Sequence, residues 1–337
     1  MSQQLSKRVA VIGAGSWGTA LAAVAARNHH QVSMWAREQE VAQTINRAHR
    51  NPFYLSDCAL PENIMATTSI EEALTDADFA IIVVPSHAMR EMMIQMRNHL
   101  RGEMILTTAT KGVENGTLMR MTEVIADVLK EKFAPRLTAL SGPSFAREVM
   151  RGDPTAIVAA SVDREAARVI QSELSSSSFR IYTNSDVAGV ELGGAVKNVV
   201  AIAAGVVSGM GLGHNSIAAI ITRGLAEITR LATSEGARAA TMAGLAGLGD
   251  LVLTCTGNLS RNRHVGVELG RGRKLDEILA GMREVAEGVK TTQAIYEISR
   301  RNQIDMPITE SVHALLYEDR PAREAMIELM ARPLKEE

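Results

Sequence analysis

Lys197 is the one charged residue between Leu192 and Gly213, in a run, LGGAVKNVVAIAAGVVSGMGLG, built almost wholly of small and aliphatic side chains. A helix apolar on every face lies in a protein core or a bilayer. An amine placed there loses water, which disfavours its charged form. A lysine depressed in this way can give and take a proton near neutrality. Helical side chains lean back over the residues three and four before them, here Gly194 and Gly193. The amine is therefore expected to overlook bare backbone that another molecule can approach. The residue type leaves a second reading equally open, a lysine that snorkels its head to the surface.

Other residues carry chemistry only in combination. Asp250, in GLAGLGDLVLTCT from Gly244, can orient a lysine or hold a substrate hydroxyl, and can as well cap a helix. Ser260-Arg261-Asn262-Arg263 reads as a helix start that joins a capping hydroxyl to guanidinium and amide donors, a set suited to phosphate. By itself it is equally a solvated basic turn. Lys111-Gly112 follows an apolar run at an expected strand end, where a charge can reach a phosphate or simply face water. Ser141-Gly142-Pro143-Ser144-Phe145-Ala146 is a further strand-to-helix turn, in which Ser144 is expected to cap the helix and free amides can hold an anion.

The element that would position a cofactor comes first in the chain. The apolar run Arg8–Ile12 reads as a buried parallel strand, followed by Gly13-Ala14-Gly15-Ser16-Trp17-Gly18 and a helical pattern from Thr19 to Arg27. G-x-G-x-x-G between a strand and a helix is the dinucleotide-binding fingerprint. Gly13 permits the tight turn, Gly15 lets backbone approach a pyrophosphate, and Gly18 allows close helix–strand packing. The second strand, from Gln31, ends at Ala36-Arg37, where NAD enzymes usually carry an acid. Arg37 suits the 2′-phosphate of NADP(H), while the adjacent Glu38 keeps NAD(H) acceptable.

Further strands are expected near 64–67, 78–84, 104–110, 137–140, 156–160 and 179–182, after which strand–helix alternation stops and the remaining pattern is helical. Asn184-Ser185 reads as the N-cap of the apolar helix, which puts the domain boundary there. The fold expected is an α/β Rossmann-like domain, residues 1–185, followed by an all-helical domain, residues 186–337.

The bulk properties exclude several classes. The chain has 337 residues, 46% hydrophobic and 22% charged, as a folded protein of about two domains should. A formal net charge of −2 gives no footprint for nucleic acid. No apolar leader precedes the first strand, so a cytoplasmic protein is expected, and Lys197, Asn198 and the glycines favour a core helix over membrane insertion. Cys58 and Cys255 are isolated and the eight histidines form no ligand pair, so no metal is expected. The glycine-spaced helices suggest a homodimer.

Taken together, these motifs make the chain resemble the NAD(P)-dependent glycerol-3-phosphate dehydrogenase family of bacterial type. The resemblance runs through GAGSWG at 13, VVPSH at 83, TKG at 110, SGPSFA at 141, LGGAVKN at 192, AGLGDLVLTC at 246, SRNR at 260 and VAEGVKT at 285. It implies a helical domain of the 6-phosphogluconate-dehydrogenase C-terminal kind and an active site in the cleft between the domains. The implied reaction is the reversible reduction of dihydroxyacetone phosphate to sn-glycerol 3-phosphate for phospholipid synthesis. Lys197 becomes the proton donor and acceptor. Lys111, Gly142, Ser144, Asp250, Ser260, Arg261 and Asn262 are implied for the substrate. Ser16, Trp17, Arg37, Tyr54, Lys111, Ala146, Arg261, Val285 and Glu287 are implied for the cofactor. Ala286 stands where the family often has valine, a departure confined to the packing of that loop. Two rivals share parts of this pattern: a β-hydroxyacid or ketopantoate-type dehydrogenase, which would take a carboxylate substrate, and a protein that binds NADP(H) without chemistry.

Overall fold

The computed structural model describes residues 6–282, 284–334 and 336. The chain forms two compact units, one of residues up to Thr110 with Met121–Val187, the other of Lys111–Arg120 with Ala188 onward. The expected division at 185/186 puts Lys111–Arg120 in the first domain, whereas the folded chain gives that segment to the second unit. Its apolar residues explain this: Val113 is buried in the second unit's core and Leu118 packs against it.

The first unit is built on an eight-stranded sheet: β1 (Arg8–Ile12), β2 (Gln31–Trp35), β3 (Ile64–Thr67), β4 (Phe79–Ile82), β5 (Ile105–Thr108), β6 (Arg136–Ser141), β7 (Thr155–Ala160) and β8 (Phe179–Asn184). Their spatial order is β3-β2-β1-β4-β5-β6-β7-β8. Pairing is parallel from β3 to β6, antiparallel between β6 and β7, and parallel between β7 and β8. Strand order reverses beside β1, whose neighbours are β2 and β4. In open α/β sheets that reversal creates the crevice in which nucleotides bind. The central strands bury both faces, as FAII in β4 and ILTT in β5 do, because helices cover both sides of a parallel sheet.

The second unit is helical and is organised around the helix Val187–Gly209. Asn184 accepts a hydrogen bond from the Asp186 amide at 2.9 Å, just ahead of this helix. The helix is long and apolar enough to cross a bilayer, yet every residue from Gly189 to Val207 is buried inside the protein. Glycine fixes how its neighbour packs. A Cβ at Gly205 would meet the Arg263 carbonyl oxygen at 2.2 Å, and one at Gly209 would meet that of Val267 at 2.1 Å. From the other side, a Cβ at Gly266 would meet the Ile202 oxygen at 2.0 Å and one at Gly270 that of Val206 at 2.3 Å. The helix Arg261–Gly270 thus lies backbone against backbone on the central helix. The glycine spacing that suggested a second copy is consumed within one chain.

Candidate active site

In the first unit, Gly13 follows β1 with φ +120°, a conformation in which other residues are strained. A Cβ there would also meet the Val83 carbonyl oxygen at 2.3 Å, and one at Gly18 would meet the Gly13 oxygen at 1.9 Å. Around Gly15 there is open space for 4 Å. Gly15 is the N-cap of the helix Ser16–Arg27 and offers no side chain to the first amides. The residues that need glycine to fold and the one that needs it to admit a ligand are therefore separate. A pyrophosphate fits this turn, facing helix amides and the positive end of the helix dipole.

Asn51, to which no motif pointed, secures the turn. Its Nδ2 donates to the Ala14 carbonyl at 2.8 Å and to Thr19 Oγ1 at 2.9 Å, and its Oδ1 accepts from the amides of Phe53 and Tyr54 at 3.1 Å each. It thereby places the loop carrying Tyr54. Trp17 lays its ring against the core, with its indole N–H buried and unpartnered among the described residues. Arg37 is exposed just past β2, and its Nε and Nη2 both donate to Glu38 Oε1, at 2.8 and 2.6 Å.

The turn after β6 is reached by Gly142 at φ +144°, where a Cβ would come within 2.8 Å of Ile157 Cα. Ser144 does not cap the following helix, as its position had suggested. That helix starts only at Ala146, with Phe145 as its N-cap, and the Ser144 hydroxyl donates back to the Gly142 carbonyl at 3.0 Å.

The second unit gathers the charged groups. Lys197 is 6% exposed, so it does not snorkel, and Gly193 below it is no open backbone. A Cβ at Gly193 would meet the Ala246 carbonyl oxygen at 2.7 Å, because the segment Leu245–Gly249 packs there. This segment winds as a π-helix, with the Gly249 amide bonding the Gly244 carbonyl at 3.1 Å, and leads into the helix Asp250–Thr256. Asp250, 1% exposed, spends its carboxylate on two lysines and caps nothing. Oδ1 accepts from Lys197 Nζ and Oδ2 accepts from Lys111 Nζ at 2.7 Å. Thr254, one turn along, accepts a second hydrogen bond from Lys197 Nζ at 2.8 Å while donating to the Asp250 carbonyl at 2.6 Å.

One carboxylate cannot balance two ammonium groups away from water. Burial pushes Lys197 down to about 7, opposed by Asp250 and helped by Lys111. Burial alone would raise the Asp250 carboxyl, but Lys111 and Lys197 outweigh it and hold Asp250 below the usual carboxylate range. At neutral pH the cluster is poised between an amine and an ammonium at Lys197.

Ser260 is the N-cap of the helix Arg261–Gly270 and accepts from the Arg263 amide at 3.2 Å. Arg261 projects from this helix start half-exposed, with Nη1 3.0 Å from Glu284 Oε2. The Asn262 side chain is engaged within the protein. Its Nδ2 donates to Asn198 Oδ1 at 2.9 Å, and its Oδ1 accepts from the Gly288 amide at 2.9 Å. Asn262 thus ties the residue after Lys197 to Gly288 in the first turn of the helix Glu287–Arg301; Glu287 opens that helix, and Val285, just ahead of it, is exposed.

Comparison with known proteins agrees over both units. The family model for the N-terminus of NAD-dependent glycerol-3-phosphate dehydrogenase matches residues 8–167, and that for its C-terminus matches residues 186–327. A glycerol-3-phosphate dehydrogenase (NAD(P)+) from Koribacter versatilis (strain Ellin345) is 56% identical over 328 residues, covering 97% of each chain. One of the same description from Geobacter sulfurreducens is 53% identical, covering 99% of each chain. The crystal structure of a glycerol-3-phosphate dehydrogenase from Coxiella burnetii superposes with a TM-score of 0.92 at 38% identity, over 97% of this chain and 99% of that one.

Proposed function

The chain belongs to the NAD-dependent glycerol-3-phosphate dehydrogenase family, and we propose that Lys197 is the group that exchanges a proton with its substrate. The reaction interconverts dihydroxyacetone phosphate and sn-glycerol 3-phosphate. The observation that carries the proposal is a buried amine near pKa 7, held against Asp250 with Lys111 on that carboxylate's other oxygen.

A bound nicotinamide would supply the hydride for the substrate's central carbonyl carbon. The oxygen left on that carbon takes a proton from charged Lys197, which leaves Asp250 and Lys111 as a balanced pair. In the oxidative direction Lys197 must be neutral. A neutral amine has two N–H bonds, which Asp250 and Thr254 occupy. Its lone pair then accepts the substrate's hydroxyl proton. An ordinary lysine near pKa ~10.4 is almost fully charged at neutral pH and would be a poor base.

Arg261 and the amides opening its helix take the substrate phosphate, with Glu284 yielding the guanidinium. Lys111 and Ser260 complete the grip, with Asn262 contributing its main-chain amide, since its side chain is taken up by Asn198 and Gly288. Binding energy from the phosphate then holds the reacting carbon in place. In the first unit, Gly13, Gly15, Ser16, Trp17 and Gly18 take the dinucleotide, Tyr54 and Ala146 border it, and Arg37 takes the 2′-phosphate of NADP(H). Glu38 offers a ribose hydroxyl an acceptor, so NAD(H) is used as well. Such an enzyme works in the cytoplasm and supplies glycerophospholipid synthesis.

The test follows NADPH absorbance with dihydroxyacetone phosphate. Lys197→Ala is expected to lower turnover by about 10²–10⁴, the range for a lost acid–base group, while NADPH still binds. Undiminished turnover in that variant would remove Lys197 from the chemistry. Preference for a 2-keto or 3-hydroxy carboxylate over the phosphate would point to the ketopantoate or hydroxyacid type of enzyme.

A further inference from the structure

We infer that the ion pair of half-buried Arg120 with buried Glu191 is a positioning device that keeps Lys111 on Asp250 and so sets the proton affinity of Lys197. The inference rests on the proton-transfer role of Lys197 given above. It starts from the segment 111–120, which leaves the first unit's sequence to join the second unit's core. Val113 pairs with Arg120 in an antiparallel bridge, and between them the Glu114 amide donates to the Met119 carbonyl at 2.9 Å. The Leu118 amide donates to the Glu114 carbonyl at 2.9 Å, and Thr117 Oγ1 donates to Glu114 Oε2 at 2.5 Å. The segment is thus a closed hairpin. Its outgoing limb begins with Lys111 and its returning limb ends with Arg120.

Each limb is fastened by charge to a different helix. Lys111 holds Asp250, and Arg120 Nη1 lies 3.1 Å from Glu191 Oε2 on the central helix. The Glu191 side chain is only 4% exposed, so its carboxylate is a buried anchor and not a surface contact. A carboxylate so placed is costly unless a cation accompanies it. Glu191 precedes Lys197 by six residues, about 9 Å along the same helix. The hairpin is therefore pinned to the element that carries the amine and, at its other limb, to the acid that binds the amine.

The groups facing Lys197 are few. Asp250 and Lys111 are charged, Thr254 is a neutral hydroxyl, and Cys255 is within electrostatic reach but is a neutral thiol, pushed up by burial to about 12. Lys111 is the one cation among these that acts on Lys197, and it lowers the amine's proton affinity. A hairpin that loses Arg120 keeps its Val113 and Leu118 packing but not the fixed register that seats Lys111 on Asp250, so Lys197 holds its proton more tightly. Arg120 and Glu191 touch neither reacting atoms nor Lys197 in this scheme. They are positioning residues.

The decisive measurement is the pH midpoint of glycerol 3-phosphate oxidation in four full-length variants. Lys111→Met, which removes the cation outright, is expected to move the midpoint upward. The double variant Arg120→Ala/Glu191→Gln, which leaves no unpaired buried carboxylate to unfold the protein, is expected to move it the same way by about 0.5–1 unit, the scale of a weakened neighbouring charge. Arg120→Lys is expected to restore the wild-type midpoint, and Arg120→Met to shift it like the double variant. A double variant that retains the wild-type midpoint, whether or not its thermal stability falls, while Lys111→Met shifts, overturns the inference. A Lys111→Met midpoint that stays put overturns instead the proton-transfer role beneath it, and the inference with it.

Discussion

Replacing Asp250 by Asn removes the one negative charge held between two ammonium groups while nearly preserving shape. At about 4 Å and an effective dielectric near 20, one such contact is worth roughly 4 kcal/mol, or about 3 pKa units at 1.36 kcal/mol each. The asparagine still offers Lys197 an acceptor, and a displaced Lys111 repels less, so the full amount is not expected. Asp250 acts on Lys197 more strongly than Lys111 does, which fixes the direction. Lys197, near 7 in the native protein, should fall by more than about one unit. The assay is the pH dependence of kcat/KM for glycerol 3-phosphate oxidation, with the C2-deuterated substrate used to confirm that hydride transfer limits the rate. Oxidation needs the neutral amine, so its rising limb should move to lower pH even as the absolute rate drops. A limb that stays within about 0.3 unit of the native midpoint, or one that moves upward, would refute the electrostatic account.

The other expectations concern different parts of the molecule. In the native enzyme, reduction needs protonated Lys197 and should decline as pH rises through about 7, opposite to oxidation; parallel profiles in both directions would count against a shared group. Because the unfolded chain binds a proton at Lys197 that the native state lacks between about 7 and the ordinary lysine value of 10.5, this residue makes stability rise with pH in that window, which urea titrations with and without Lys197→Met can isolate. Gly15→Ala should fold normally yet bind NADPH at least about tenfold more weakly, whereas Gly18→Ala should lose stability outright. Equal thermal stability of those two would contradict the separation of folding from ligand access. Glu227, buried and accepting from the Ile308 amide at 2.7 Å and the Thr309 amide and hydroxyl at 3.1 Å each, is pushed up by burial to about 7. There the native state holds the extra proton from about 4.5 to about 7, so stability falls as pH rises through that range, and Glu227→Gln should flatten the fall in a thermal-melt series. Arg37→Ala should raise the KM for NADPH more than that for NADH; equal effects would leave the 2′-phosphate without its partner.

The parts of the fold that were readable in the sequence are those in which local chemistry and tertiary role coincide. The run RVAVI before GAGSWG reads as a buried strand entering a tight glycine turn, and β1 occupies Arg8–Ile12. Ser260 caps the helix its position announced. Strand direction was not readable, because β6 and β7 bury apolar residues in the same way whether paired parallel or antiparallel. The helix Arg164–Leu174 adds to the elements expected from the pattern, and Asp163, which caps it by accepting from the amides of Glu165 and Ala166, is its signal in the sequence. At the site, Asp250 had two equal local meanings, and only the arrival of lysines 53 and 139 positions away chose between them. Thr254 stands one helical turn from Asp250 in GLAGLGDLVLTCT, and its i, i+4 spacing is a signal that marks it. Asn51 could not have been found, since its partners in the nucleotide turn are brought to it by the sheet.

The glycine seam between the central helix and the helix of Arg261 has a consequence for selectivity. Main chain laid on main chain has no rotamer that can give way, so the spacing between the turn carrying Lys197 and the first turn of its neighbour is set before any ligand arrives. On the roles proposed for Lys197 and Arg261, this fixed gauge sets the main-chain separation between proton carrier and anion grip, which suits the short reach from a secondary carbon to the phosphate of a three-carbon ester.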